Sequence, residues 1–183
     1  MNDKFLKITA LIFVVLAIII SLPYLKELIV LKEHNPLDNV SVRLSQFTQE
    51  TVTKISIRKG SEEKILSFSE NKWLIGNEEA DADKVKQFFQ DLNDLKIKEM
   101  VSQNEENQSK FEVAKDKNSF QLTFWQNDKE NVFFVGKSAA AVNDFYIRKD
   151  GIKNVYLVNG ELRNKLSWDA NQWKRANDDQ EKK

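Results

Sequence analysis

The sequence contains no cysteine, one histidine, two prolines and five glycines among its 183 residues. The absence of cysteine excludes disulfides, thiolate nucleophiles and cysteine-based zinc or iron–sulfur sites. A single histidine cannot complete a multi-histidine metal site. The 28 basic and 28 acidic side chains cancel, whereas a nucleic-acid-binding domain presents a basic surface. We therefore expect no metal, no cofactor and no nucleic-acid partner.

Catalytic motifs are also incomplete. Two Ser-x-x-Lys matches, Ser61–Lys64 and Ser69–Lys72, fall in predicted hairpins, whereas serine–lysine chemistry places the pair one turn apart on a helix. Gly136-Lys137-Ser138 matches the end of a phosphate-binding loop, but Asn131 occupies the place of its first glycine. No carboxylate pair has the apolar surroundings that would raise one pKa. The sequence predicts no enzymatic activity, and a hydrolase that uses two carboxylates is the minor alternative.

An apolar run, Ile8–Leu25, spans eighteen residues without a charge. As a helix it would extend about 27 Å, close to the hydrocarbon core of about 30 Å. The run lacks the polar stripe of a soluble helix, and Ile19 with Ser21 makes a poor signal-peptidase site. We interpret the run as an uncleaved signal anchor. A cleaved signal peptide and a buried soluble helix are the alternatives.

Lys4 and Lys7 precede this run, so the positive-inside rule keeps the N-terminus cytoplasmic. The predicted localisation is the cell membrane, single-pass, with the C-terminal domain outside the cytoplasm. The predicted partners are the lipid bilayer, through residues 8–25, and a membrane or envelope protein. The predicted segments are a cytoplasmic N-terminus (1–7), a transmembrane signal anchor (8–25), a juxtamembrane stalk (26–50), an extracytoplasmic α+β domain (51–174) and a solvated tail (175–183).

From Thr51 onward, short runs of alternating apolar and polar residues are separated by polar turns, which is typical of antiparallel strands. The strands are predicted around Ile55–Ile57, Leu66–Phe68, Trp73–Ile75, Phe120–Phe124, Val132–Val135, Phe145–Arg148 and Val155–Val158. The segment 102–118 is almost wholly polar and predicts a crossing loop, pinned to the domain by Phe111 and Val113.

Helices follow each series of strands. Asp81 or Asp83 can cap a helix whose apolar stripe is Val85, Phe88, Phe89, Leu92 and Leu95. A short second helix carries Leu162 and Leu166. The fold class is therefore α+β, with antiparallel strands, amphipathic helices packed on the sheet and a single transmembrane helix before them. The order of elements suggests a duplicated β-β-β-α unit.

One side of the predicted sheet is rich in aromatic residues. If Phe120, Leu122 and Phe124 face the core, Trp125 faces away from it, and neighbouring strands add Phe134, Tyr146 and Tyr156. An exposed aromatic surface would bind a protein partner, or, as the alternative function, a small ligand or polysaccharide. A C-terminal helix bearing Trp168 and Trp173 would instead cover these residues, and we favour this covering. The candidate partner-binding residues are Trp125, Phe134, Tyr146 and Tyr156.

A series of short motifs resembles the bacterial family catalogued as domain of unknown function 4340, over roughly residues 50–175. The motifs are Ile55-Ser56-Ile57-Arg58, Trp73-Leu74, Ala80-Asp81, Val135-Gly136-Lys137, Tyr146-Ile147-Arg148, Val155-Tyr156-Leu157-Val158 and Trp173-Lys174-Arg175. The chain departs from the family at Phe111-Glu112-Val113-Ala114-Lys115, where the family tends to have a glycine-leucine and proline segment.

The resemblance implies a membrane-anchored, extracytoplasmic α+β domain without established catalytic residues. Some relatives are encoded beside, or fused to, auxiliary parts of gliding-motility-type ABC transporters. The function that we expect is a non-enzymatic accessory or interaction domain, auxiliary to an ABC-type transporter or an envelope complex.

Overall fold

The structure is a computed structural model that describes residues 42–175. The predicted signal anchor (8–25), residues 26–41 of the predicted stalk and residues 176–183 lie outside the described residues. Between residues 42 and 175, no helix has both the length and the apolar character that a membrane crossing requires.

The described residues form an α+β domain made mostly of antiparallel strands. The strands are β1 (Val52–Lys59), β2 (Glu62–Ser69), β3 (Lys72–Ile75), β4 (Glu78–Glu79), β5 (Lys96–Ser102), β6 (Phe120–Gln126), β7 (Lys129–Ser138), β8 (Asp144–Lys149) and β9 (Val155–Asn159). The α-helices are α1 (Ala82–Asn93), α2 (Leu162–Leu166) and α3 (Ala170–Trp173). One-turn 3-10 helices lie at Leu44–Gln46 and Glu105–Asn107.

All nine strands belong to one sheet, in the order β4-β3-β2-β1-β6-β7-β8-β9-β5. β1 and β6 pair antiparallel near the middle of the sheet, with Ile55 opposite Phe124 and Ile57 opposite Leu122. From this pair the chain runs outward as one meander through β2, β3 and β4, and as a second through β7, β8 and β9. The predicted strands are confirmed, and two meanders share one sheet.

The segments that follow α1 and α3 each reach the other meander. β5 follows α1 but pairs with β9 at the far edge of the second meander. Lys174, which follows α3, forms a β-bridge with Ala80 beside the first meander. The order of strands followed by helix occurs twice, as the sequence suggests, but each meander has four strands if the two-residue β4 is counted. β4 consists of two exposed glutamates, so it carries no apolar signal.

The helices cover one face of the sheet, which we call the helix face. Asp81 caps α1 by accepting the backbone N–H groups of Asp83 and Lys84. Phe88 of α1 packs against both Phe124 of β6 and Trp173 of α3. The predicted stripe of α1 is therefore confirmed as the cover of the sheet, with four of its members buried: Val85, Phe88, Phe89 and Leu92.

The end of the predicted stalk belongs to the folded domain. Val42, Leu44 and Phe47 are buried, and the Phe47 ring stacks on Phe124 with 4.5 Å between the ring centroids. The boundary predicted at residues 50 and 51 is thus wrong, and the domain includes residues 42–50. The three apolar side chains are spaced irregularly around a single 3-10 turn, so they form neither a helical nor a strand period.

Truncation of Phe47 tests this boundary. We expect Phe47→Ala to lower the free energy of unfolding by about 3–5 kcal/mol, because a fully packed ring leaves a cavity. Phe68→Ala is the matched control, since the Phe68 side chain is 43% exposed, and it should cost about 1 kcal/mol or less. Urea denaturation of the full chain measures both. Equal midpoints for the two variants would contradict the assignment of residues 42–50 to the domain.

Candidate interaction surface

The face of the sheet opposite the helix face, called here the second face, is defined by the strand register. Side chains of directly paired residues point to the same face of a sheet. One row across the second face contains Ser67, Lys54, Trp125 and Glu130. The next rows are Ile65, Ser56, Thr123 and Val132, then Glu63, Arg58, Gln121, Phe134 and Arg148.

Residues 103–119, called here the crossing segment, cover the part of the second face formed by β7, β8, β9 and β5. Val113 is fully buried against Phe134 and Val155. The Phe111 ring packs on Tyr146 with 4.6 Å between the centroids. The predicted pinning of this segment by Phe111 and Val113 is confirmed, and we call this part of the second face the covered half.

Arg148 holds the backbone of the crossing segment. Its Nε donates to the Val113 carbonyl oxygen at 2.9 Å, and its guanidinium lies 4.6 Å from the Phe134 ring centroid. Its Nη1 donates to the carbonyl oxygens of Lys149 and Ile152. Burial lowers the pKa of Arg148, an effect that the charges of Asp150 and Glu105 oppose. The guanidinium remains charged and acts as a structural donor.

Gly136 allows the crossing segment to lie directly on β7. A methyl group at position 136 would overlap the Phe111 carbonyl oxygen and lie 2.8 Å from Val113 Cγ1. The Lys137 N–H donates to the same Phe111 oxygen at 3.3 Å. The glycine is thus required for close approach of two backbones.

The four predicted partner-binding residues do not share one open surface. Phe134 is only 1% exposed, and Tyr146 is half-buried against the crossing segment, which covers both in place of the predicted C-terminal helix. Tyr156 pairs with Ile147, and Ile147 with Val135, which places Tyr156 on the helix face. The prediction of Tyr156 on the second face is therefore wrong.

Trp125 lies on the part of the second face formed by β1, β2, β3 and β6, called here the open half. Its side chain is half-buried, and Lys54 Nζ lies 4.4 Å from its ring centroid. Ile65, on a neighbouring row, is 37% exposed, and Ser67 and Leu74 are also accessible. The open half therefore combines apolar and charged groups in contact with solvent. The predicted residues Trp125, Phe134, Tyr146 and Tyr156 do not form an open row of aromatic rings, so they do not support the alternative of polysaccharide binding.

The ionisable side chains that the domain buries have structural partners. Asp144 accepts hydrogen bonds from Lys98 Nζ and Asn159 Nδ2, each at 2.7 Å, and these contacts hold its pKa below the ordinary value. The pair connects β8 to the edge strand β5 across β9. Asp91 of α1 forms a buried ion pair with Lys165 of α2, so the two helices are joined.

Lys64 performs a similar structural role. It is half-buried on the helix face and donates to the carbonyl oxygens of Leu166, the last residue of α2, and of Trp168 just after it. Burial lowers its pKa, and Glu62 and Asp169 oppose this effect. Between residues 42 and 175, no group of three or more histidine, cysteine, aspartate or glutamate side chains is arranged to hold a metal ion.

Several of the short motifs that resemble the DUF4340 family lie at the contacts described above, and a family model matches the same region. The model described as Domain of unknown function (DUF4340) matches residues 73–177, which is more than half of the chain. The chain belongs to the DUF4340 family. The predicted family is confirmed, although the match begins after β1 and β2 and so excludes Ile55-Ser56-Ile57-Arg58. No curated protein and no solved structure is significantly similar to the chain.

Within the DUF4340 region, the quoted motifs have clear structural roles. Ala80 forms the bridge to Lys174, and Asp81 caps α1. Gly136 and Arg148 both hold the crossing segment. In this chain, these motif residues therefore stabilise the sheet and hold the crossing segment on its second face.

Substitution of Gly136 tests the docking of the crossing segment. We expect Gly136→Ala to lower the free energy of unfolding by about 1–3 kcal/mol, because the added methyl overlaps backbone and cannot move aside. Hydrogen exchange of residues 111–115 should accelerate. Ser138→Ala, an exposed position of the same strand, is the control and should change stability by about 0.5 kcal/mol at most. Unchanged exchange in Gly136→Ala would contradict this docking.

Proposed function

We propose that this DUF4340 protein is a membrane-anchored, non-enzymatic accessory domain that lies outside the cytoplasm and binds a membrane or envelope protein. The family resemblance suggests an ABC-type transporter as the class of complex that it assists. We favour binding over catalysis because the buried charged groups hold the fold together. Asp91, Asp144, Arg148 and Lys165 each contact a partner side chain or backbone carbonyl.

The apolar run Ile8–Leu25 supports membrane anchoring. It has no charged residue, and Lys4 and Lys7 lie before it. A run of this length matches the thickness of the hydrocarbon core, and the preceding positive charges favour a cytoplasmic N-terminus. The remainder of the chain would then be held close to the outer surface of the membrane, where a membrane-bound partner is locally concentrated.

The open half of the second face supports binding to a protein. The helices α1, α2 and α3 pack on the helix face, where Phe68 at the end of β2 stays 43% exposed, and the crossing segment packs on the covered half. The open half retains the exposed Ile65, the half-buried Trp125 and the charged groups beside them. Protein-binding surfaces typically have an apolar centre rich in aromatic residues and a polar rim.

Crosslinking of intact cells, followed by membrane isolation without detergent, tests the proposed function. We expect the full chain in the membrane pellet, crosslinked to a membrane or envelope protein. The triple variant Val14→Asp, Val15→Asp, Ile18→Asp should leave the pellet, because each aspartate near the centre of a membrane helix costs about 2.5–3.5 kcal/mol. The matched control has leucine at the same three positions and should remain in the pellet.

Two results would contradict the proposal. Wild-type chain in the soluble fraction after lysis without detergent would remove the anchor. Wild-type chain in the pellet, without any crosslinked membrane or envelope protein, would remove the interaction.

A further inference from the structure

A basic cleft lies at the boundary between the open half and the crossing segment. It has a volume of about 470 Å³, and three cations surround it: Arg58 of β1 and, from the crossing segment, Lys115 and Lys117. The Gly60-Ser61 turn and Gln121 complete its polar wall. Within residues 42–175, the ion pairs involve other cations than these three.

The Arg58 side chain and the backbone that carries the two lysines are held by ordered contacts. Arg58 Nη2 donates to Gln121 Oε1 at 2.5 Å, which orients the guanidinium along the sheet. The turn that carries the two lysines is closed by the buried Ser119, whose Oγ donates to the carbonyl oxygens of Ala114 and Asp116. This order reduces the entropy that a ligand must remove on binding.

Two acidic groups lie near these cations. Asp116, which also lines the cleft, accepts the Asn118 N–H at 2.8 Å. Glu63 is the cross-strand neighbour of Arg58, but its Oε1 accepts the Ser56 hydroxyl at 2.5 Å. Because these hydrogen bonds come from neutral donors, Asp116 and Glu63 keep their negative charges. The cleft still presents more cations than nearby carboxylates, although the whole chain carries no net charge.

We propose that the basic cleft binds an acidic segment of the protein partner, with carboxylates at Arg58, Lys115 and Lys117 and apolar side chains on the adjoining open half. This inference rests on the proposed function and specifies the chemistry of the partner. The Arg58 fork matches a carboxylate in two parallel hydrogen bonds. Ile65 and Trp125 on the same face provide the apolar contacts that a peptide would use.

A lipid surface fits the cleft less well. Anionic lipid surfaces are typically bound by clusters of about 4–8 lysines and arginines, whereas this cleft has three cations together with Asp116. The cleft is also concave, so it receives a narrow chain better than a flat bilayer.

The test uses the full chain in a neutral detergent and a short fluorescein-labelled peptide rich in glutamate, with interspersed leucine. We expect saturable binding that weakens between about 0.05 and 0.5 M NaCl, because the cations are exposed. The variant Arg58→Gln, Lys115→Gln, Lys117→Gln should bind about tenfold more weakly, as expected for the loss of three exposed charge pairs. The control variant Lys86→Gln, Lys96→Gln, Lys129→Gln removes three exposed lysines outside the cleft and should bind like the wild type.

Additional measurements identify the ligand chemistry and test for misfolding. A peptide with glutamine in place of glutamate should not bind. Phosphatidylglycerol vesicles and inorganic polyphosphate should bind equally to the cleft variant and to the control variant. The single variant Arg58→Lys keeps the positive charge and both native lysines. It should therefore bind the peptide more tightly than the triple glutamine variant of the cleft does. Circular dichroism should give the same melting temperature for both triple variants.

Several results would overturn the inference: no binding of the glutamate peptide to the wild type, equal binding by the two triple variants, or a stronger cleft-dependent affinity for vesicles or polyphosphate than for the peptide. Crosslinking in cells separates this failure from failure of the proposed function. If the cleft variant still crosslinks to the partner as the wild type does, the cleft assignment is wrong while the interaction stands.

Discussion

The antiparallel pairing of β1 with β6 is the contact on which the rest of the domain depends. Ile55, Ile57, Leu122 and Phe124 are each fully buried on the helix face of this pair, and burial of one such side chain contributes about 1.5–3 kcal/mol. Because β1 belongs to the first meander and β6 to the second, their pairing joins the two meanders into one sheet with a shared core. β5, which follows α1, pairs with β9 at the outer edge of the second meander, and Lys174, which follows α3, bridges to Ala80 beside the first.

This arrangement leaves the two faces of the sheet with different tasks. The helix face receives α1, α2 and α3, and their buried ion pair between Asp91 and Lys165 is used to join helices. On the second face, the crossing segment covers only one half, held by Arg148 and by the close approach at Gly136. The open half and the basic cleft at its border are the surfaces to which we assign a partner, and this division underlies the function that we propose.

The sequence predicted those parts of the fold whose pattern is local. The stripe of α1, its cap at Asp81, the alternation in β1 and β6 and the two anchors of the crossing segment are all set by neighbouring residues. Residues 42–50 and β5 were not predicted. Phe47 reaches the core from an irregular turn, and the pairing of β5 with β9 is interrupted by two register shifts that break the alternation.

The surface was harder to predict because the facing of a side chain depends on register. β9 reads Val155-Tyr156-Leu157-Val158, an apolar run without alternation, so nothing in it assigns Tyr156 to one face. The register shift between β7 and β8 adds to this ambiguity. The basic cleft joins Arg58 to two lysines more than fifty residues away in the sequence, and no local charge run marks it. Tertiary structure alone brings them together.

We propose that a partner binds the open half of the second face, whereas the helix face serves the fold. A photo-reactive amino acid placed in the full chain in cells tests this most directly, at Ser67 on the open half or at Gln87, which is exposed on α1. We expect a crosslink to one membrane or envelope protein from position 67 and none from position 87. A crosslink from position 87 alone, or from neither position, would contradict it.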